Sequence, residues 1–273
     1  SVRIGFIGNG FVGSAGRQLE CEKNKVLVFD IEPSLCVPVG TTLAQVAACD
    51  IVFVSVPTPA EANGQCHLGI VESVVGQLKA ASPEVQIVLR STIPPGTSDR
   101  LGTLFMPEFL TEANYMDDFK NNPLWVVGGS SPTLQQVLTN AKEAGKIMSD
   151  TVVEMRTQEA ELVKYVRNCF LATKVSFFNE VASFCESNDL DYETVRQAAA
   201  ADARIGLGHT RVPGPDGRRG FGGHCFPKDV AAWCAFAPCK HSVVRSVRDK
   251  NLEVDRPEKD WTADKGRAVV ADI

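Results

Sequence analysis

Residues 2–13 read VRIGFIGNGFVG. The apolar run 2–7 suits a buried parallel strand, and Gly8, Gly10 and Gly13 supply GxGxxG at its exit. Apolar spacing then continues into a helix near 11–22, opened by Phe11 and Val12. Each glycine has its own reason: a tight turn, room for a pyrophosphate against the backbone, and close packing of helix on strand. The helix N-terminus offers unpaired N–H groups to phosphate. Working outward, VLVFD at 26–30 reads as a second strand ending in Asp30, about twenty residues beyond the glycines. A carboxylate there accepts hydrogen bonds from an adenosine ribose and repels a 2′-phosphate, so the cofactor expected is NAD. A glycine-rich turn in an unrelated α/β protein would not carry strand, glycines, helix, second strand and terminal acid in that order.

The same rhythm continues. Strands are expected at 50–57, 85–91, 102–109, 124–129 and 151–155, alternating with helices near 41–48, 69–81, 97–101 and 132–145. This is the pattern of a doubly wound α/β sheet, in which ligands enter at the strand ends. Pro57, Thr58, Ser91 and Thr92 lie in two such loops and are expected at the cofactor. For Thr92 two roles stand side by side, capping the turn of TIPPGT or holding a water or the nicotinamide.

From Thr157 the pattern changes to helical spacing for about thirty residues without internal Gly or Pro, and DYETVRQAAAA follows as an acid-capped helix. The expected architecture is a Rossmann-type NAD-binding domain over 1–156 and a mostly helical domain over 157–273, built on that long connecting helix. Lys164 and Asn168 are four residues apart and share a face. Each can be a solvated position, but together they offer a cation and an amide donor that can converge on an oxyanion. Residues 206–223 carry seven glycines and two prolines and so form a shaped loop. Arg204, Arg211, Arg218 and Arg219 make its surroundings basic, an expectation of anion contact, with a merely solubilising run as the alternative.

Composition sets the bounds. The chain has 273 residues, 44% hydrophobic and 22% charged, with a formal net charge of −5. There is no global attraction to nucleic acid or anionic membrane. The nine cysteines form no CxxC pair and, with four histidines, no zinc-site spacing, so no metal is expected and a reducing compartment is. A strand beginning at residue 2 and the lack of a long apolar run lead to the expectation of a cytoplasmic protein with neither signal peptide nor membrane span.

Cys225 stands apart within GFGGHCFPKD (220–229). Gly222 and Gly223 suggest close backbone approach to a ligand, and FPKDVAAWCAFA looks helical, placing the thiol in or just before a first turn. A helix N-terminus and Lys228 favour a thiolate. Asp229, on the same face, opposes the thiolate but can orient water or relay a proton. A buried structural thiol accounts well for the other eight cysteines but leaves these neighbours unexplained. NAD beside a thiolate permits oxidation of an aldehyde through a thiohemiacetal and a thioester.

With these residues in view, the chain resembles the UDP-glucose/GDP-mannose dehydrogenase family. The likeness runs from residue 2 to about 251, through GxGxxG, VPTP (56–59), STIPPGT (91–97), MPEFLTE (106–112), ELVKYVRNCFLATKVSFFNE, ADARIG (201–206) and GFGGHCFPKD. The resemblance implies a four-electron oxidation of a nucleotide sugar with two NAD, UDP-glucose to UDP-glucuronate. Alternatives are another nucleotide sugar (GDP-mannose or UDP-N-acetylhexosamine type) or a silent NAD-binding assembly module. It implies Cys225 as nucleophile, Lys164 and Asn168 as oxyanion donors, Asp229 assisting Lys164 and a water, and Glu108 with Thr92 supporting proton transfer and hydrolysis. Lys228 falls in its cofactor-binding motif. Phe109, Leu110, Phe221, Gly222 and Gly223 fall beside the substrate, and Arg204 resembles an arginine reaching a neighbouring subunit's substrate in a homodimer. The family continues into a further Rossmann-like domain that helps hold the nucleotide, a domain this sequence is expected to lack, either as a fragment or as a compact version whose site is completed otherwise, with the arginine-bearing loop supplying phosphate contacts.

Overall fold

The computed structural model describes residues 1–271. Packing groups the chain into two compact units, one of residues 1–58 with 68–164, the other of 59–67 with 165 onward.

The first unit is a seven-stranded sheet. Its strands are β1 (Val2–Ile7), β2 (Asn24–Phe29), β3 (Ile51–Val54), β4 (Gln86–Leu89), β5 (Leu104–Phe105), β6 (Trp125–Gly128) and β7 (Val152–Met155), in the order β2-β1-β3-β4-β5-β6-β7. All neighbours are parallel except β5 and β6. The apolar runs arise because both faces are covered. In β3, Phe53 joins the core under helix α6 (Pro132–Glu143), whereas Val52 and Val54 join the core under α3 (Gly69–Ala81) on the opposite face. In α3, Val71, Val75 and Leu78 make one buried stripe at helical spacing. Helix α6 starts where Ser131 accepts the Leu134 N–H and Pro132 fills the first turn. From β1 the chain winds one way to β2 and the other way to β3, so the switch point lies at the carboxyl ends of β1 and β3.

Two expectations for this unit are corrected. The helix after the glycines ends early: α1 covers Phe11–Gly16 and a 3-10 turn covers Arg17–Leu19. Gly13 and Gly16 lower its propensity, and both are there for packing, since a side chain at Gly16 would press on the Phe6 ring. The strand read at 102–109 shrinks to Leu104–Phe105, because Pro107 has no N–H to give a ladder and the carbonyls of Met106 and Pro107 accept from Arg90. Short helices α2 (Leu43–Ala47), α4 (Thr97–Leu101) and α5 (Tyr115–Lys120) complete the unit, α5 without a signal in the sequence reading.

Helix α7 (Thr157–Ser187) gives its first two turns to the sheet unit and the remainder to the second. The second unit adds α8 (Tyr192–Ala200), α9 (Phe226–Phe236) and α10 (Val243–Lys250), with a small core of Cys169, Ala172, Phe221, Val230 and Val247. Among the described residues no helix is long and apolar enough to cross a membrane.

Candidate active site

In the first unit the glycine loop fits a dinucleotide. Gly8 has φ +97°, which a side chain rarely adopts, and a Cβ there would strike the Ser55 carbonyl; one at Gly13 would strike the Gly8 carbonyl. Gly10 differs, because a Cβ there would point into open space, the room a pyrophosphate needs. Asp30, just past the end of β2, accepts the Asn9 N–H at 2.8 Å and the Glu32 N–H at 2.9 Å, tying the acid to the glycine loop. Beyond β3 and β4, Ser91 Oγ both accepts the Val56 N–H (3.0 Å) and donates to the Val56 carbonyl (2.7 Å), and Thr58 Oγ1 donates to the Thr92 carbonyl (2.9 Å). Thr92 is buried and Pro57 exposed.

A second constellation forms where MPEF meets α7. Lys164 Nζ donates to the Glu108 carboxylate at 3.0 Å and to the Glu108 carbonyl at 2.7 Å, and sits 5.8 Å from the Phe109 ring centroid. Both charged residues are buried, so the solvated role for Lys164 is removed. Burial by itself pushes the Glu108 carboxyl up; the Lys164 charge, the Leu110 N–H and Arg90 together outweigh it and hold the group below its ordinary range. Glu108 is therefore an ionised acceptor at neutral pH. Burial lowers Arg90 to about 10, with Glu108 opposing the shift. Arg90 and Glu161 escaped the sequence reading. Glu161 is fully buried and accepts from Gly96 N–H (2.9 Å) and from the N–H and Oγ of Ser98 (both 3.0 Å), anchoring the TIPPGTS loop to α7. An acid beside Ala160 on a buried helical face was the available signal.

In the second unit Asn168 Nδ2 donates to Asp229 at 2.6 Å, and Lys228 Nζ donates to the other Asp229 oxygen at 2.8 Å. All three are largely buried, so Asn168 too is no solvated position. Burial depresses the Lys228 ammonium, but Asp229, Cys225 and the Asp229 hydrogen bond outweigh it and leave the pKa above the ordinary lysine value. Cys225 is the N-cap residue of α9 and partly exposed. Cys169 makes the contrast: burial, with Asp229 adding, drives its thiol far upward into an unreactive state. Cys49 and Cys234 are also pushed up, first by burial.

The loop ahead of Cys225 departs from expectation in two ways. Phe221 places its ring in the core, and both its backbone groups bond to Asn251, so neither is offered to a ligand. Gly222 is a glycine because Arg256 Nη1 occupies the space of its Cβ, an intramolecular reason; Gly223, at φ +76°, faces open space. Three of the four arginines already face carboxylates, while Arg211 is exposed. Arg218 pairs with Glu258 (3.4 Å) and Asp260 (3.6 Å), and Arg219 with Glu186 (2.7 Å). Arg204, its side chain 89% exposed, pairs with Asp202 at 2.6 Å.

Residues 158–253 match the central domain of the UDP-glucose/GDP-mannose dehydrogenase family, and residues 39–143 match that family's NAD binding domain. The UDP-glucose 6-dehydrogenase of Pseudomonas aeruginosa is 34% identical over 226 residues, 75% of this chain and 49% of the relative. That of Rhizobium meliloti is 32% identical over 219 residues, 74% and 49% respectively. The chain thus spans about half the length of these curated relatives. Among solved structures, a UDP-glucose dehydrogenase from the hyperthermophilic archaeon Pyrobaculum islandicum matches with a TM-score of 0.76 at 26% identity, over 90% of this chain and 67% of that one.

Proposed function

The chain belongs to the UDP-glucose/GDP-mannose dehydrogenase family and carries its NAD-binding Rossmann domain, and from that premise we propose that it oxidises the 6-hydroxymethyl group of a nucleotide sugar to a carboxylate, UDP-glucose to UDP-glucuronate. One observation carries the reading: a partly exposed cysteine at the N-cap of α9, followed at once by the buried Lys228–Asp229–Asn168 network. An alcohol oxidation alone requires a base and no thiol; oxidation through to the acid gives the thiol a task.

NAD, when bound, supplies the hydride acceptor for each of the two oxidations. The glycine loop and Asp30 would hold its adenosine half, and Pro57, Thr58, Ser91, Thr92 and Lys228 are the residues proposed to contact the remainder. Glu108, ionised, accepts the proton of the sugar hydroxyl, while Lys164 and Asn168 donate to the oxygen as charge develops there. The Cys225 sulfur then bonds to the aldehyde carbon, the carbonyl electron pair moving to oxygen, where a proton closes the thiohemiacetal. Loss of the second hydride and the hydroxyl proton leaves a thioester. A water held near Thr92 and deprotonated by a carboxylate adds to the thioester carbon, and the carbon–sulfur bond breaks with its electron pair returning to sulfur. In sum two hydrides and three protons leave, and one water oxygen enters.

We propose a homodimer as the working form. Phe170, Phe177 and Phe184 follow one another at seven-residue spacing on α7, each residue 57% to 63% exposed, an apolar stripe that a monomer would leave in water. Arg204 is the arginine assigned to the neighbouring protomer's substrate.

The test is NADH yield on UDP-glucose, GDP-mannose and a UDP-N-acetylhexosamine. Two NADH per UDP-glucose are expected, with Cys225→Ser losing the second oxidation. A yield of one in the unaltered protein would make it a simple alcohol dehydrogenase. Preference for another sugar would reassign the substrate, and NAD binding without turnover on any sugar would leave a silent binding module.

A further inference from the structure

The backbone just ahead of Cys225 is gripped by three side chains from three different places in the chain. On α7, Asn179 Oδ1 accepts the Gly220 N–H at 3.0 Å. At the end of α10, Asn251 accepts the Phe221 N–H and donates to the Phe221 carbonyl, both at 2.9 Å. Arg256 Nε donates to the Arg219 carbonyl at 2.9 Å, and its Nη1 pairs with Asp216 at 2.8 Å and Asp260 at 3.5 Å. All three are nearly fully sequestered, Arg256 at 1% exposure. The grip is tight enough to dictate sequence: a Cβ at Gly220 would overlap Asn251 Oδ1, and one at Gly222 would overlap Arg256 Nη1.

Burying an arginine and two amides is an expensive way to fasten a loop, because each must be desolvated, and Arg256 Nη1 meets its two carboxylates by charge without a hydrogen bond. Apolar packing would fasten the loop without that cost. What directional bonds add is a fixed geometry, here at consecutive residues 219, 220 and 221, the last of them four positions before the thiol.

We propose that Asn251 and Arg256 are positioning residues for Cys225, acting through the backbone of residues 219–221, and that the segment after α10 is thereby a working part of the active site. The proposal rests on the reading of Cys225 as the nucleophile. Arg256 lies beyond the stretch matched to the family's central domain, which ends at residue 253. Clamping 219–221 fixes the path of the chain into α9, and so keeps the Cys225 sulfur at the helix N-terminus, where a thiolate is stabilised.

The experiment measures the rate at which iodoacetamide alkylates Cys225, located by peptide mass spectrometry, as a function of pH in the unaltered chain and in Arg256→Met, Asn251→Ser and Gly222→Ala. Each variant should alkylate at Cys225 roughly tenfold more slowly at pH 7, with the rate profile displaced to higher pH. A core variant of the same unit, Val247→Ala, lowers the unfolding midpoint without moving that profile. Gly222→Ala should matter less than twofold once Arg256→Ser has vacated the space, a non-additivity that mere destabilisation does not produce. Should Arg256→Met fail to fold, Asn251→Ser and Gly222→Ala decide the matter. Profiles that coincide with the unaltered chain in the folded variants would overturn the inference, even if two NADH are made per sugar. A displaced profile in a chain that makes no NADH would sustain the clamp and sink the enzymatic reading instead.

Discussion

In the sheet unit Phe6 stacks on Phe53 at 5.3 Å, and the central strands are apolar on both faces. Around Cys225, by contrast, the core is five buried residues, and the chain is held by amides, an arginine and an aspartate. The first kind of packing is tolerant of direction and scales with area. The second is directional, gains little net stability per bond, and costs heavily where one partner is removed. The cofactor-binding scaffold is thus stable through area, whereas the thiol's surroundings are specific through geometry. The proposed reaction, which would hold a carbon at sulfur, needs the second kind, since small displacements there are felt in rate before they are felt in stability.

The largest effect should come from breaking the apolar half of that contrast. Phe53→Ala is expected to cost about 4 kcal/mol, through lost burial and the cavity left beside Phe6, read as a drop in urea midpoint. A cost under about 1 kcal/mol would mean the sheet core relaxes freely and the contrast is wrong.

The Glu108–Lys164 pair sharpens the comparison, because it is a polar constellation inside the apolar unit. Glu108→Gln should destabilise by about 3 kcal/mol at neutral pH, as it leaves a buried ammonium without its counter-charge. The sign with pH follows from the lowered carboxyl. The stability it contributes is fully present above the unfolded carboxylate value and is lost as pH falls through the lower folded value. Unfolding followed from pH 7 downward should therefore show a shallower acid limb in the variant, and superimposable acid limbs would exclude the pair as the cause.

The smallest change in stability should come from Phe177→Lys, within about 0.5 kcal/mol for the isolated chain because the ring is already in water. Its effect belongs to association: light scattering should report a dimer for the unaltered chain and a monomer for the variant. A monomer in both would remove the stripe on α7 as an interface.

Much of the first unit was readable from residues alone. Unbroken apolar runs on both sides of glycine punctuation have few other solutions than a parallel sheet, and α3 lies where the spacing predicted it, at 69–81. The early end of α1 and the shortened β5 had local signals in Gly13, Gly16 and Pro107, but the contacts with Phe6 and Arg90 that go with them were not readable. Lys164 at the edge of the first unit, and Asn168, Cys225 and Asp229 in the second, could be singled out by type and spacing, but not their partners. Nor could the reason for Gly222, which looked like room for a ligand and is room for Arg256.

Local order therefore determined the strand-glycine-helix fingerprint, the change from alternating to helical pattern at Thr157, and a cysteine set at a helix start. Those depend on steric and periodic rules that act over a few neighbouring residues. Tertiary structure alone decided that Glu108 is ionised against Lys164, that Asn168 and Lys228 share Asp229, that Arg218 and Arg219 are spent on acids, and that Asn251 and Arg256 fix the approach to the thiol. Charge and hydrogen bonding act through space between groups tens of residues apart, and which donor meets which acceptor is fixed only when the chain has closed around them.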